Sequence, residues 1–115
     1  MDVKKITHEI QFCSQKMQKL NLFESSRMFC DLYCLEPGQK QKIHSHEGND
    51  KIYFVVQGEG HFTIGQETRR LESGEITAAF SGEPHGVKNS SQTRLTCLVF
   101  MAPHPNWEDS ASAEH

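Results

Sequence analysis

Turn-forming residues punctuate this chain every few positions from Glu36-Pro37-Gly38 to Pro103-His104-Pro105, and between them lie short β-favouring runs. The strongest is residues 51–57 (KIYFVVQ), which Gly58-Glu59-Gly60 breaks. Residues 61–64 pair back through a turn at Gly65-Gln66-Glu67 with residues 68–71, and Glu72-Ser73-Gly74-Glu75 turns the chain again. Residues 76–80, 85–88 and 94–101 continue the series. Strands this short and this regularly spaced predict an all-β sandwich or barrel, and nothing alternates helix with strand as a parallel sheet requires.

Upstream, residues 27–35 (RMFCDLYCL) read as an apolar strand with Met28, Cys30, Leu32 and Cys34 on one face and Phe29, Asp31, Tyr33 and Leu35 on the other. Residues 1–12 alternate well enough for a further strand carrying Ile6, His8, Ile10 and Phe12 on one side. Residues 13–26 place Met17, Leu20 and Phe23 at helical spacing but are too short for a stable helix, so a connection with one helical turn is expected. The domain is expected over residues 1–105, followed by a polar tail, residues 106–115, in which Trp107 alone is equipped to dock on the rest.

A chain of 115 residues can bury a core without staples. Its net charge of −3 and the absence of basic clusters beyond Lys4-Lys5 and Arg69-Arg70 leave no footprint for nucleic acid. No apolar run approaches the roughly 18 residues that span a bilayer, and no charged start with an apolar core marks a secretory signal, so a cytoplasmic chain with no membrane partner is expected. Four cysteines without a CxxC then read as thiols. Cys30 and Cys34 share a face, where inert burial outweighs a metal or redox pair.

The chemistry is concentrated in two stretches. In residues 37–60 (PGQKQKIHSHEGNDKIYFVVQGEG), His44 and His46 stand one residue apart, and on a strand both imidazoles leave the same face. In residues 74–89 (GEITAAFSGEPHGVKN), His85 follows the turn Ser81-Gly82-Glu83-Pro84. If the two strands face each other across a barrel, three neutral imidazoles converge, a set that suits iron, nickel, copper and zinc. Two histidines at i and i+2 also arise by chance, and His8, His61 and His104 fit surface or edge roles.

Together the two stretches resemble the paired motifs of the cupin superfamily. In the first, a Gly is followed after five residues by His-x-His, then a Glu and a closing Gly, and Gly38, His44, His46 and Gly58 fall at those positions. In the second, Gly74, Gly82, His85 and Asn89 fall in place, with Phe80 where the family has a proline. The resemblance implies a double-stranded β-helix, a jelly-roll barrel, that binds one divalent transition metal (iron, manganese, nickel, copper or zinc) through His44, His46 and His85. It also implies a homodimer, in which an N-terminal strand packs on a second protomer.

One departure bears on the site. The motif glutamate is Lys51 when counted back from Gly58, and an ammonium is no metal ligand. Counting forward from His46 reaches Asp50, whose parity is wrong once the strand has begun; Glu47 is the other nearby carboxylate. Lys51 either carries its charge to the barrel mouth or meets an anionic group of a substrate. Tyr53, on the same face, is a further candidate substrate contact or a packing residue; Val55, Gln57, Val87 and Asn89 complete a lining fit for a small molecule.

Three imidazoles leave part of a metal open, the layout of a reactive site more than of a closed structural one. The resemblance thus admits a metal-dependent enzyme of oxygenase type acting on a small organic molecule. It equally admits a binding or sensor barrel without turnover, or a metal-free barrel like those of sugar isomerases.

Overall fold

Side chains alternate between the two faces of a strand, so each run above has one face to bury, and two sheets closing on each other meet that demand. A computed structural model describes residues 1–106 of the chain. Its elements are a helical turn, α1 (Ile6–Glu9), then β1 (Gln18–Glu24), β2 (Phe29–Leu35), β3 (Lys40–His44), β4 (Asp50–Gln57), β5 (Glu59–Ile64), β6 (Glu67–Glu72), β7 (Ile76–Ala79), β8 (His85–Lys88) and β9 (Leu95–Ala102). The strands form a larger sheet in the order β1-β2-β9-β4-β7 and a smaller one in the order β3-β8-β5-β6. Every pairing is antiparallel.

The larger sheet contributes Tyr33, Leu35, Tyr53, Val55, Leu95, Cys97 and Val99 to an inner apolar cluster, and the smaller one contributes Phe62, Leu71 and Val87. Burial of these side chains, at roughly 1.5–3 kcal/mol for each large one, drives the two sheets together. Lys51, Tyr53 and Val55 share the inner face as alternation requires, but a bulge between Val55 and Gln57 turns Gln57 outward.

Two expectations for the N-terminal part of the chain are corrected. Residues 1–12 form no strand: Ile6 and Ile10, one helical turn apart, pack with Phe12 across the outer face of the larger sheet, on Leu22, Cys30, Leu32 and Cys34. Residues 18–24 are a strand, β1, because Leu20 and Leu22 alternate toward that outer cluster while the backbone pairs with β2. Pairing with a neighbour outweighs the helical spacing of Met17, Leu20 and Phe23.

With the N-terminal segment laid over it, β2 is covered on both sides. Cys30, Cys34 and Cys97 are accordingly buried free thiols, and burial pushes the Cys97 thiol up to about 12, where it is inert at neutral pH. His104 is likewise no surface residue. It is 7% exposed, its Nε2 meets the Glu24 carboxylate, and its backbone N–H donates to Arg27 O at 2.7 Å, tying the end of the fold to the start of β2. The expected tail and Trp107 lie outside the described residues, save Asn106.

Gly58 closes the turn between β4 and β5 with φ +87°, and a Cβ there would stand 2.2 Å from the Arg94 carbonyl oxygen. Gly38 has φ +88° and open space around it. Gly58→Ala is therefore expected to cost several kcal/mol, against about 1 kcal/mol for Gly38→Ala, since only the first adds a backbone clash to the left-handed strain. Denaturant unfolding of the two variants measures the difference, and equal losses would refute the clash.

Candidate metal centre

The register of the smaller sheet sets two of the three histidines face to face: His44 ends β3, His85 begins β8, and they are direct cross-strand partners. His46 lies beyond the end of β3, so strand parity is not what aims it. The loop that carries it is tied to the turn before β8, where the Gly82 N–H donates to His46 O and the Gly48 N–H to Ser81 Oγ, both at 2.7 Å.

The rings of His44 and His46 lie 4.8 Å apart by centroid, those of His44 and His85 4.5 Å, and those of His46 and His85 5.6 Å. One nitrogen from each lies within 4.8 Å of the others, a grouping that can hold a metal ion. Two nitrogens bound to one ion at about 2.1 Å and a tetrahedral angle stand about 3.4 Å apart, so the rings would close inward on an ion by up to about 1 Å or slightly more.

The donor state of the rings fits such an ion. His44 Nδ1 lies 2.8 Å from Lys42 O and His85 Nδ1 lies 2.9 Å from Glu83 O. A carbonyl only accepts, so both Nδ1 atoms carry a proton, and Nε2 is the nitrogen that each ring has left to offer an ion. His85 Nε2 is buried and is the one such side-chain atom among the described residues with no hydrogen-bond partner. Burial holds the His85 imidazole neutral, down to about 4, and lowers His46 as well.

Neither carboxylate considered above joins the three rings. Asp50 Oδ1 accepts from the Ser81 N–H at 3.0 Å, and the exposed Glu47 lies over Gly82. Asn89 is occupied elsewhere, donating to Leu35 O and Thr93 O.

Lys51, where the motif has its glutamate, lies inside the barrel at 3% exposure. Its ammonium stands 5.5 Å from the Tyr33 ring centroid and 5.4 Å from that of Tyr53, and among the described residues it forms no ion pair. Burial, then the charge of Lys19, lowers Lys51 to about 8, and Asp31 opposes them. The Tyr53 hydroxyl donates to Gln41 Oε1 at 2.7 Å, and Gln41 Nε2 donates to Tyr33 Oη at 3.0 Å. Tyr53 thus braces the site, its proton already committed.

Three neighbours escaped the reading of the sequence. Lys19 sits on a strand expected to be a connection, and the alternation of Leu20 and Leu22 was the signal that would have placed it. Gln41 and Tyr33 carry no motif and were legible only once their strands faced each other.

Comparison with known proteins agrees with this architecture. The family model described as "Cupin domain" matches residues 31–101. The chain belongs to the cupin family. It is 30% identical to an oxalate-binding protein of Thermotoga maritima over 74% of this chain and 69% of that protein. The crystal structure of TT1209 from Thermus thermophilus superposes with a TM-score of 0.89 at 42% identity, covering 91% of this chain and all of that one. A Klebsiella pneumoniae protein with a double-stranded β-helix domain superposes with a TM-score of 0.83 at 20% identity, over 90% of each chain, a likeness of fold alone. This cupin is thus an all-β double-stranded β-helix, and no helix among its described residues is long and apolar enough to cross a membrane.

The Lys51 shift sets a pH window. Its folded value, about 8, lies below the ordinary 10.5, so the unfolded chain holds the extra proton between those values and stability rises with pH across them. Lys51→Met is therefore expected to gain about 2–3 kcal/mol at pH 7, an advantage that shrinks toward pH 10.5. Denaturant unfolding at pH 7, 8.5 and 10 measures it, and an advantage that is absent at pH 7 or grows with pH refutes the reading.

Proposed function

We propose that this cupin binds one divalent transition metal through His44, His46 and His85 and uses it to capture a small chelating organic molecule in the barrel. The observation that carries the reading is the state of His85: neutral, its Nδ1–H given to Glu83 O, and its Nε2 buried without a partner. An unsatisfied buried acceptor costs about 1–3 kcal/mol, and a metal removes that cost.

When bound, the metal supplies a Lewis acid with positions left open by only three protein ligands. The chain's own residues do the rest. The carbonyls of Lys42 and Glu83 aim two imidazoles, and Gln41 pins the two tyrosine rings that pack against Lys51. An oxygenase-type reaction on a small organic substrate is the activity such an open centre serves. Capture without turnover is the second reading, and it is favoured by the relative named for binding oxalate, a small chelating acid of the kind proposed. The partner under either reading is a small molecule, neither nucleic acid nor membrane, and the working form is a homodimer in the cytoplasm.

Elemental analysis of untagged protein is expected to find about one equivalent of iron, manganese, nickel, copper or zinc per chain, lost in a His85→Ala variant prepared identically. Iron would direct assays to oxygen uptake with candidate substrates. Protein that neither carries a metal nor takes one up on reconstitution would refute the three-histidine site and leave a metal-free barrel.

A further inference from the structure

A buried ammonium without a carboxylate partner is costly, since removing one from water carries an effective penalty of several kcal/mol even after relaxation. Contacts with the faces of Tyr33 and Tyr53 recover only part of it. Asp31, whose charge favours the Lys51 ammonium, is not in ion-pair contact with it, and its Oδ1 takes the Asn21 amide at 2.9 Å. Lys51 is therefore an unneutralised cation inside the barrel.

It also lies within electrostatic reach of the imidazoles. Its charge weighs on both His46 and His85, and the charge of Lys19, whose ammonium stands 5.6 Å from the Tyr33 ring centroid, weighs on His46 and on Lys51 itself. Beside them an open cleft of about 680 Å³ runs between β1 and β3, lined by Lys16, Lys19, Lys40, Lys42, Gln41 and His44. Four ammoniums thus rim the cleft that reaches His44, in a chain whose net charge is −3. Such a concentration of one sign draws in ligands of the other.

A divalent ion on three neutral imidazoles adds two positive charges near that of Lys51, a local sum of three, of which a neutral ligand offsets none, a singly charged one a third and a doubly charged one two thirds. We propose that Lys51, seconded by Lys19, forms an anion subsite beside the three imidazoles, and that the ligand of this barrel is a small dicarboxylate, one end chelated at the imidazole centre and the other held by the Lys51 ammonium. The proposal rests on the metal-binding reading above and adds to it the charge and class of the ligand.

Matched pairs of hydroxy acids test it: glycolate against tartronate, and lactate against malate. Each pair shares the chelating hydroxyl and carboxylate and differs by a second carboxylate. Calorimetric titration of the metal-loaded protein is expected to give at least tenfold tighter binding of one diacid than of its monoacid partner. In Lys51→Met that ratio falls toward one while metal content by elemental analysis stays at one equivalent per chain; in Lys19→Met it falls part of the way. Wild-type ratios near one for both pairs, or a ratio that survives in Lys51→Met, overturn the subsite. Should elemental analysis find no metal, the earlier reading fails separately. Titration of the metal-free protein with malate and tartronate then decides, because binding lost in Lys51→Met supports the subsite and its absence from the wild type overturns it.

Discussion

Everything in this molecule depends on two sheets burying their inner faces against each other. Tyr33, Tyr53, Val55, Cys97 and Val99 from one side meet Phe62, Leu71 and Val87 from the other, and that contact fixes how far apart β3, β8 and β4 stand. Between those apolar side chains stand a few buried polar ones. Gln41, Lys51 and His85 are among them: Gln41 is held by two tyrosine hydroxyls, whereas Lys51 has no ion pair among the described residues and His85 Nε2 no hydrogen-bond partner. The site is the part of the interior that the core does not finish.

How much of this was legible in the sequence follows from how local each signal is. The strands from residue 40 onward were readable because turns and alternation are properties of a few consecutive residues. The three histidines were readable because two motifs fix their spacing, although His46 reaches the others from a loop. Residues 1–24 were misread because their structure is decided elsewhere. The N-terminal segment follows the outer face it covers, and Gln18–Glu24 follows the backbone of β2. Lys19 and Gln41 owe their place beside Lys51 and the tyrosines to contacts between strands distant in sequence, which no window along the chain contains.

Lys51 shows stability and chemistry opposed at one position. A largely buried cation over tyrosine rings weakens the fold, whereas the same cation strengthens any complex that brings it a negative group. Lysine where the motif has a carboxylate sets a positive charge inside the barrel, and the backbone pairing of β4 with β7 and β9 runs through it unbroken.

The histidine tautomers carry a different consequence. His44 and His85 both hand their Nδ1 proton to the carbonyl two residues before them, Lys42 for one and Glu83 for the other. No core side chain takes part, so the nitrogen each ring offers is chosen by a few atoms of its own segment. Substitutions can therefore accumulate in the barrel wall, reshaping what fits inside, without resetting the polarity of the rings. In that sense the centre is inherited as two short pieces of backbone, and the cavity around it is free to diverge.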